Sequence, residues 1–301
     1  MFTLVSNPAE KGEFMTKDNI NSEDKTEALI EELIQELKKY DSLEDYPKDK
    51  EEELGKIRDK LISIGKPSVP YLIEVLNNHD SWSCYFAAEA LGKMKDKSAI
   101  EPLIDAFDEL DLGEEVRKSL KIIGPSCIPY VIKHLEKRIK ERKKTNSHFI
   151  TNALSTIGEI KCDDSINFLN TLLDDYVSKM PDEDFDIDTY DWEYQGLDFF
   201  HLLDCMVRQQ DKRALPYIKR ARDRFPKNYT DYKVCQIAMG RIKKGKVEGY
   251  LPMEAMEIAM PFGALMNAFS GGKMGWKDTF DENYGEYFED EDENDEGDED
   301  V

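Results

Sequence analysis

From about Glu23 onward the apolar positions fall three and four residues apart almost without a break. Leu29, Leu33 and Leu37 lie four apart with Ile30 and Ile34 beside them, which predicts an amphipathic helix over 23–40. Leu54, Ile57, Leu61 and Ile64 then share one helix face, and Gly65 followed by Pro67 reads as that helix's stop. Tyr71, Leu72, Val75 and Leu76 open the next helix. No stretch alternates with period two long enough to argue for a sheet, so the chain is expected to be all-α. Residues 1–22 are polar and read as a flexible start.

The helix–glycine–turn–helix unit recurs. Its copies read LISIGKPSVPYLIEVL, EALGKMKDKSAIEPLIDAF, SLKIIGPSCIPYVIKHL and LSTIGEIKCDDSINFLNTLL, and their glycines are Gly65, Gly92, Gly124 and Gly158. Each glycine is expected to end a helix. A fifth copy, DCMVRQQDKRALPYIKRA, has lost the glycine but keeps a Pro-Tyr pair, as in Val69-Pro70-Tyr71, Ile128-Pro129-Tyr130 and Leu215-Pro216-Tyr217. Proline suits the first turn of a helix, where its missing N–H loses no partner. One unit alone cannot bury its apolar face, so neighbours must stack. The expected architecture is an α-solenoid of about six antiparallel helix pairs over residues 23–269. The helix over 23–40 would cap one end. A helix holding Tyr232, Val234, Ile237, Ala238 and Ile242, then the methionine-rich Met253–Phe269, would cap the other.

One copy carries a resemblance. Phe86-Ala87-Ala88-Glu89-Ala90-Leu91-Gly92-Lys93, followed by Ala99-Ile100-Glu101-Pro102-Leu103-Ile104, resembles HEAT-like repeats, particularly the short type of bilin-lyase-related proteins. The likeness extends over roughly residues 51–225. It implies a superhelix of stacked pairs, with Ala87 and Ala88 letting helices approach closely. It also implies, as an alternative function, a lyase or modifying activity.

The charge sits in two appendages. Of 64 acidic and 41 basic residues, giving a net charge of −23, the segment 280–301 holds 13 acids and no base. The segment 181–198 holds 8 acids and no base. Without them the body is close to neutral. The terminal run, entered through Ser270-Gly271-Gly272-Lys273, is expected to be a disordered, solubilising tail or an electrostatic arm. The inner run interleaves Phe185, Ile187, Tyr190, Trp192 and Tyr194 with its acids, which fits a loop anchored on its own body.

Candidate chemistry is sparse. The five cysteines form no Cys-x-x-Cys pair and, with no secretory start visible, read as reduced thiols of a cytoplasmic protein. His201, Asp204 and Cys205 share a helical face and are legitimate ligand types, but a packed helix face explains them with fewer assumptions. No phosphate loop, Gly-x-Ser-x-Gly or His-Glu-x-x-His motif is present. No catalytic residue, cofactor or metal site is expected, and apolar runs break well before the roughly 18 residues of a membrane span. Basic clusters occur at Lys133–Lys144 and Lys212–Lys227, yet a near-neutral body with two acidic arms disfavours nucleic acid.

These features lead to a monomeric protein-interaction scaffold that binds a partner protein along a helical-repeat groove, with no nucleic acid and no membrane expected. A binder of anionic ligands through the basic clusters is a second alternative. The second helix of each pair is expected to line the groove, making Glu74, Asp105, Lys133, Lys137, Lys219 and Arg220 the candidate contacts.

Overall fold

Five small side chains are wholly buried where one helix of the chain turns into the next: Ser68, Ala99, Cys127, Ser165 and Ala214. A branched apolar residue follows each of them: Val69, Ile100, Ile128, Ile166 and Leu215. The computed structural model describes residues 17–39, 41, 48–78, 81–109, 112–141, 147–179, 199–225, 227 and 230–246. Among these there are twelve α-helices and no strand. The expected acidic segment 181–198, the methionine-rich cap, the glycine hinge and the tail lie outside the described residues.

The chain divides into two compact units after Met94. The first contains α1 (Lys17–Lys38), α2 (Glu51–Ile64), α3 (Val69–Leu76) and α4 (Ser83–Met94). Helix α1 begins at Lys17, earlier than the expected polar start allows. It packs on α2 and α3, burying Ile30, Leu33, Ile34 and Leu37, while α4 covers the other side of the α2–α3 pair. Asp41 ties the start of α4 down by accepting from the Ser83 backbone N–H and hydroxyl, each at 2.8 Å.

The second unit contains α5 (Ile100–Asp105), α6 (Gly113–Ile123), α7 (Ile128–Glu141), α8 (Ser147–Glu159), α9 (Asp163–Ser178), α10 (Phe199–Gln209), α11 (Leu215–Arg222) and α12 (Thr230–Lys244). The even-numbered helices pack in one row, α6 on α8 on α10 on α12. The odd-numbered ones pack in another, α5 on α7 on α9 on α11. The core lies between the rows, where Leu120, Phe149, Leu154, Leu169, Leu202 and Ile218 are almost wholly buried. This is the repeat stacking that the apolar pattern requires. No described helix is long and apolar enough to cross a membrane.

Two turn chemistries join the helices. After α2 and α6 the turn residue is Gly65 (φ 82°) or Gly124 (φ 83°), a conformation that a Cβ would strain. There the small residue reaches back to the helix end: the Ser68 hydroxyl donates to the Leu61 carbonyl at 2.9 Å and the Cys127 thiol to the Leu120 carbonyl at 3.5 Å. After α4 and α10 the left-handed residue is Lys95 or Gln210, each with φ 54°. Asp96 and Asp211 then cap the following turn, accepting from the Ser98 and Arg213 backbone N–H groups at 2.9 Å.

This corrects two of the four glycines. Gly92 lies inside α4 and Gly158 inside α8; neither ends its helix. Gly158 serves close packing instead, since a Cβ there would stand 2.8 Å from the Cys205 Cβ and 2.9 Å from its Cα.

Candidate protein-binding surface

Charged side chains alternate in sign along the odd-numbered row of the second unit. On α5 and the turn after it, Glu101, Asp105 and Asp108 form an acidic edge. On α7, Lys133, His134 and Arg138 answer it. Lys133 Nζ lies 3.9 Å from Glu101, His134 Nδ1 lies 3.8 Å from Asp105, and Arg138 forms an ion pair with Asp108. The Arg138 guanidinium also sits 4.5 Å over the Phe149 ring, so ring and carboxylate both hold it. The next pair of helices repeats the polarity. Asp163 on α9 accepts from Arg213 at 2.8 Å, and Asp174 accepts two bonds from the Arg220 Nη2, at 2.7 and 2.8 Å. In both cases the acid comes from the earlier helix and the base from the later one.

These bonds shift the groups in the expected directions. The hydrogen bond with Asp174 raises the Arg220 guanidinium, and the Arg213 guanidinium, bonded to Asp211 and Asp163, is likewise raised. The same Arg213 holds the Asp211 carboxyl below its ordinary value. Among the described residues, Arg138, Arg213 and Arg220 of the two basic clusters are therefore engaged within the molecule. Arg222 forms an ion pair with Asp223 and lies 5.5 Å over the Tyr232 ring. On α7, Lys133, Lys137 and Lys140 remain outward.

The candidate contacts fall as follows. Glu74 is exposed on α3 of the first unit. Asp105 and Lys133 are brought together with His134 at the α5–α7 contact, and Lys137 is exposed one turn further along α7. Arg220 is exposed and stacked 4.5 Å over Tyr217, while Lys219 is half-buried beside it. Sequence reasoning missed His134, Asp108 and Asp174, the partners that knit the row. Their one signal in the sequence is the sign of the charges, acidic on one second helix and basic on the next.

The His201, Asp204 and Cys205 cluster resolves into three separate packing roles. His201 Nε2 lies 3.1 Å from the Ser155 hydroxyl, Asp204 accepts from Arg208 Nε at 2.7 Å, and the Cys205 thiol donates to the Leu154 carbonyl at 3.3 Å. No group of three or more potential ligands is assembled for a metal among the described residues. Beside them, the Gln209 amide donates to the Ile157, Gly158 and Ile160 carbonyls, closing the end of α8. Burial pushes the thiols of Cys84 and Cys127 up to about 12, and those of Cys205 and Cys235 are raised too, so none of these is a nucleophile near neutrality.

Residues 84–109 match the family described as PBS lyase HEAT-like repeat. The chain matches no curated protein. The matched residues Ala87, Ala88, Ala90, Leu91, Ile100, Leu103 and Ile104 are all wholly buried, so the likeness reports packing. Stacked helix pairs, the small buried residues at five of their turns and this match together support a HEAT-like repeat architecture for the chain.

Proposed function

We propose that this repeat protein is a monomeric cytoplasmic scaffold that binds a partner protein along the exposed face of its odd-numbered helices. The observation that carries the reading is the alternating charged row on α5, α7, α9 and α11. It is displayed on helices whose other faces are fixed in the core. Each exposed ion pair in that row is worth only about 0–1 kcal/mol, so a partner's charges can replace it at small cost. Arrays of this kind favour specificity and orientation through charge complementarity. A lyase or modifying activity has no comparable support, because the match over residues 84–109 rests on the repeat pattern of packed residues such as Ala87, Leu91 and Leu103 and singles out no group that would hold a substrate.

The test is site-specific photo-crosslinking in native lysate. Probes at Asp105, Lys137 and Arg220 should capture one common protein, whereas probes at Lys56 and Lys118 on first helices should not. Equal capture from both sets, or none from the second helices, would rule the reading out.

A further inference from the structure

We infer that the face of α7 beginning at Tyr130 is a docking surface for an acidic peptide of a partner protein that carries an apolar anchor; this deepens the scaffold reading and rests on it. Four residues define the face: Tyr130, Lys133, Lys137 and Lys140, spaced 3, 4 and 3 apart and all exposed. That spacing places them on one side of the helix.

The three Pro-Tyr tyrosines differ in what meets them. The Tyr71 hydroxyl donates to the Glu27 carboxylate of α1 at 2.7 Å, and Tyr217 lies under the Arg220 guanidinium. Tyr130 is instead 38% exposed. Ile122, across the Gly124 turn at the end of α6, is also 38% exposed. Among the described residues of this unit, these two are the large apolar side chains left at the surface, and they flank the same turn. Tyr130, on the same helix side as the lysines, offers the ring on which an apolar anchor can pack.

The lysines beyond it are weakly committed. Lys133 stands 3.9 Å from Glu101 and Lys140 stands 3.8 Å from Glu136, and both remain about three-quarters exposed. Lys137 has no charged partner among the described residues. This contrasts with the arginines of the row, which are stacked and bonded. A lysine ammonium is a compact, mobile charge on a flexible stem, so it can turn from a loose internal partner to an incoming carboxylate. The first unit supplies an internal precedent for the chemistry, since there the tyrosine after the proline is met by a carboxylate borne on a neighbouring helix. Positive charge in line with an exposed aromatic ring fits a peptide with acids following an aromatic residue better than it fits a uniform polyanion.

The experiment titrates the full chain with two fluorescein-labelled 16-residue peptides of equal negative charge, one bearing two tryptophans and one bearing none. The tryptophan peptide is expected to bind more tightly, with affinity falling as salt rises. Tyr130→Ala and Lys133→Glu/Lys137→Glu should each weaken it by about tenfold, while Lys56→Glu leaves it unchanged. These side chains are exposed, and a matching circular dichroism melt checks that each variant is folded. Equal affinity for the two peptides, no binding of either, or binding indifferent to Tyr130 and the lysines would overturn the inference. Second-helix crosslinks to a partner would then still stand, so the two failures are distinguishable.

Discussion

Gly158 on α8 and Cys205 on α10 are in backbone contact, so close that a Cβ on Gly158 would lie 2.9 Å from the Cys205 Cα. The obstacle is partly backbone, which cannot turn aside as the end of a long side chain can. Gly158→Ala should therefore destabilise the second unit by about 1–3 kcal/mol through overpacking. Gly55 in α2 is the contrasting case. A Cβ there meets only the Arg58 guanidinium end at 3.6 Å, and Gly55→Ala should stabilise by about 0.5–1 kcal/mol through helix propensity. Urea midpoints of the two variants should move in opposite directions.

The left-handed turn residues predict a second pair of opposite signs. Gly65→Ala places a Cβ at φ 82° and should cost about 1–2 kcal/mol. Lys95 already carries a Cβ at φ 54°, so Lys95→Gly should be neutral or stabilising by up to about 1 kcal/mol. A destabilised Lys95→Gly in thermal melts would show that the lysine side chain holds that turn by contacts.

How much of this was legible follows from the same residues. The 3.6-residue apolar period fixes the helices, and Leu54, Leu61, Leu72 and Leu91 are buried where that period puts them. The glycines were the weaker guide, because glycine has two uses that look alike in sequence. Gly65 and Gly124 supply backbone freedom at a turn, whereas Gly92 and Gly158 lie inside helices, and Gly158 leaves room there for Cys205. The better marker was the small residue before a branched one, from Ser68-Val69 to Ala214-Leu215, which is buried at all five turns within helix pairs whatever their backbone conformation. The charged row was only half legible. Asp105, Lys133 and Arg220 were recognisable as outward residues, but their partners depend on which helices become neighbours, and a loop of unequal length separates each pair.

Thiol reactivity gives a third prediction. Cys84, Cys127, Cys205 and Cys235 are buried with raised thiols, while Cys162 is half-buried 3.2 Å from the Ser165 hydroxyl. Iodoacetamide at mildly alkaline pH should label Cys162 first in the native chain, with the other four reacting only once denaturant is added. Early labelling of Cys205, read by mass spectrometry, would mean that the α8–α10 contact opens in solution.

Asp231 sets the pH dependence of the last described helix. It stands in the first turn of α12, where the helix dipole favours a negative charge. Yet it is only 5% exposed, and desolvation wins, raising its carboxyl above the ordinary range. A carboxyl raised in the folded state is a liability that grows with pH. Below the unfolded value of about 3.9 both states are protonated and nothing is lost. As pH rises through that value the unfolded chain releases its proton first, and stability falls until the folded carboxyl has ionised too. Asp231→Asn keeps a polar side chain of the same shape and removes the charge. It should leave the urea midpoint nearly unchanged at pH 3 and raise it at pH 7, with the gain appearing between the unfolded and folded titrations. A variant no more stable than the parent at pH 7 would show that dipole and backbone contacts outweigh burial at this position.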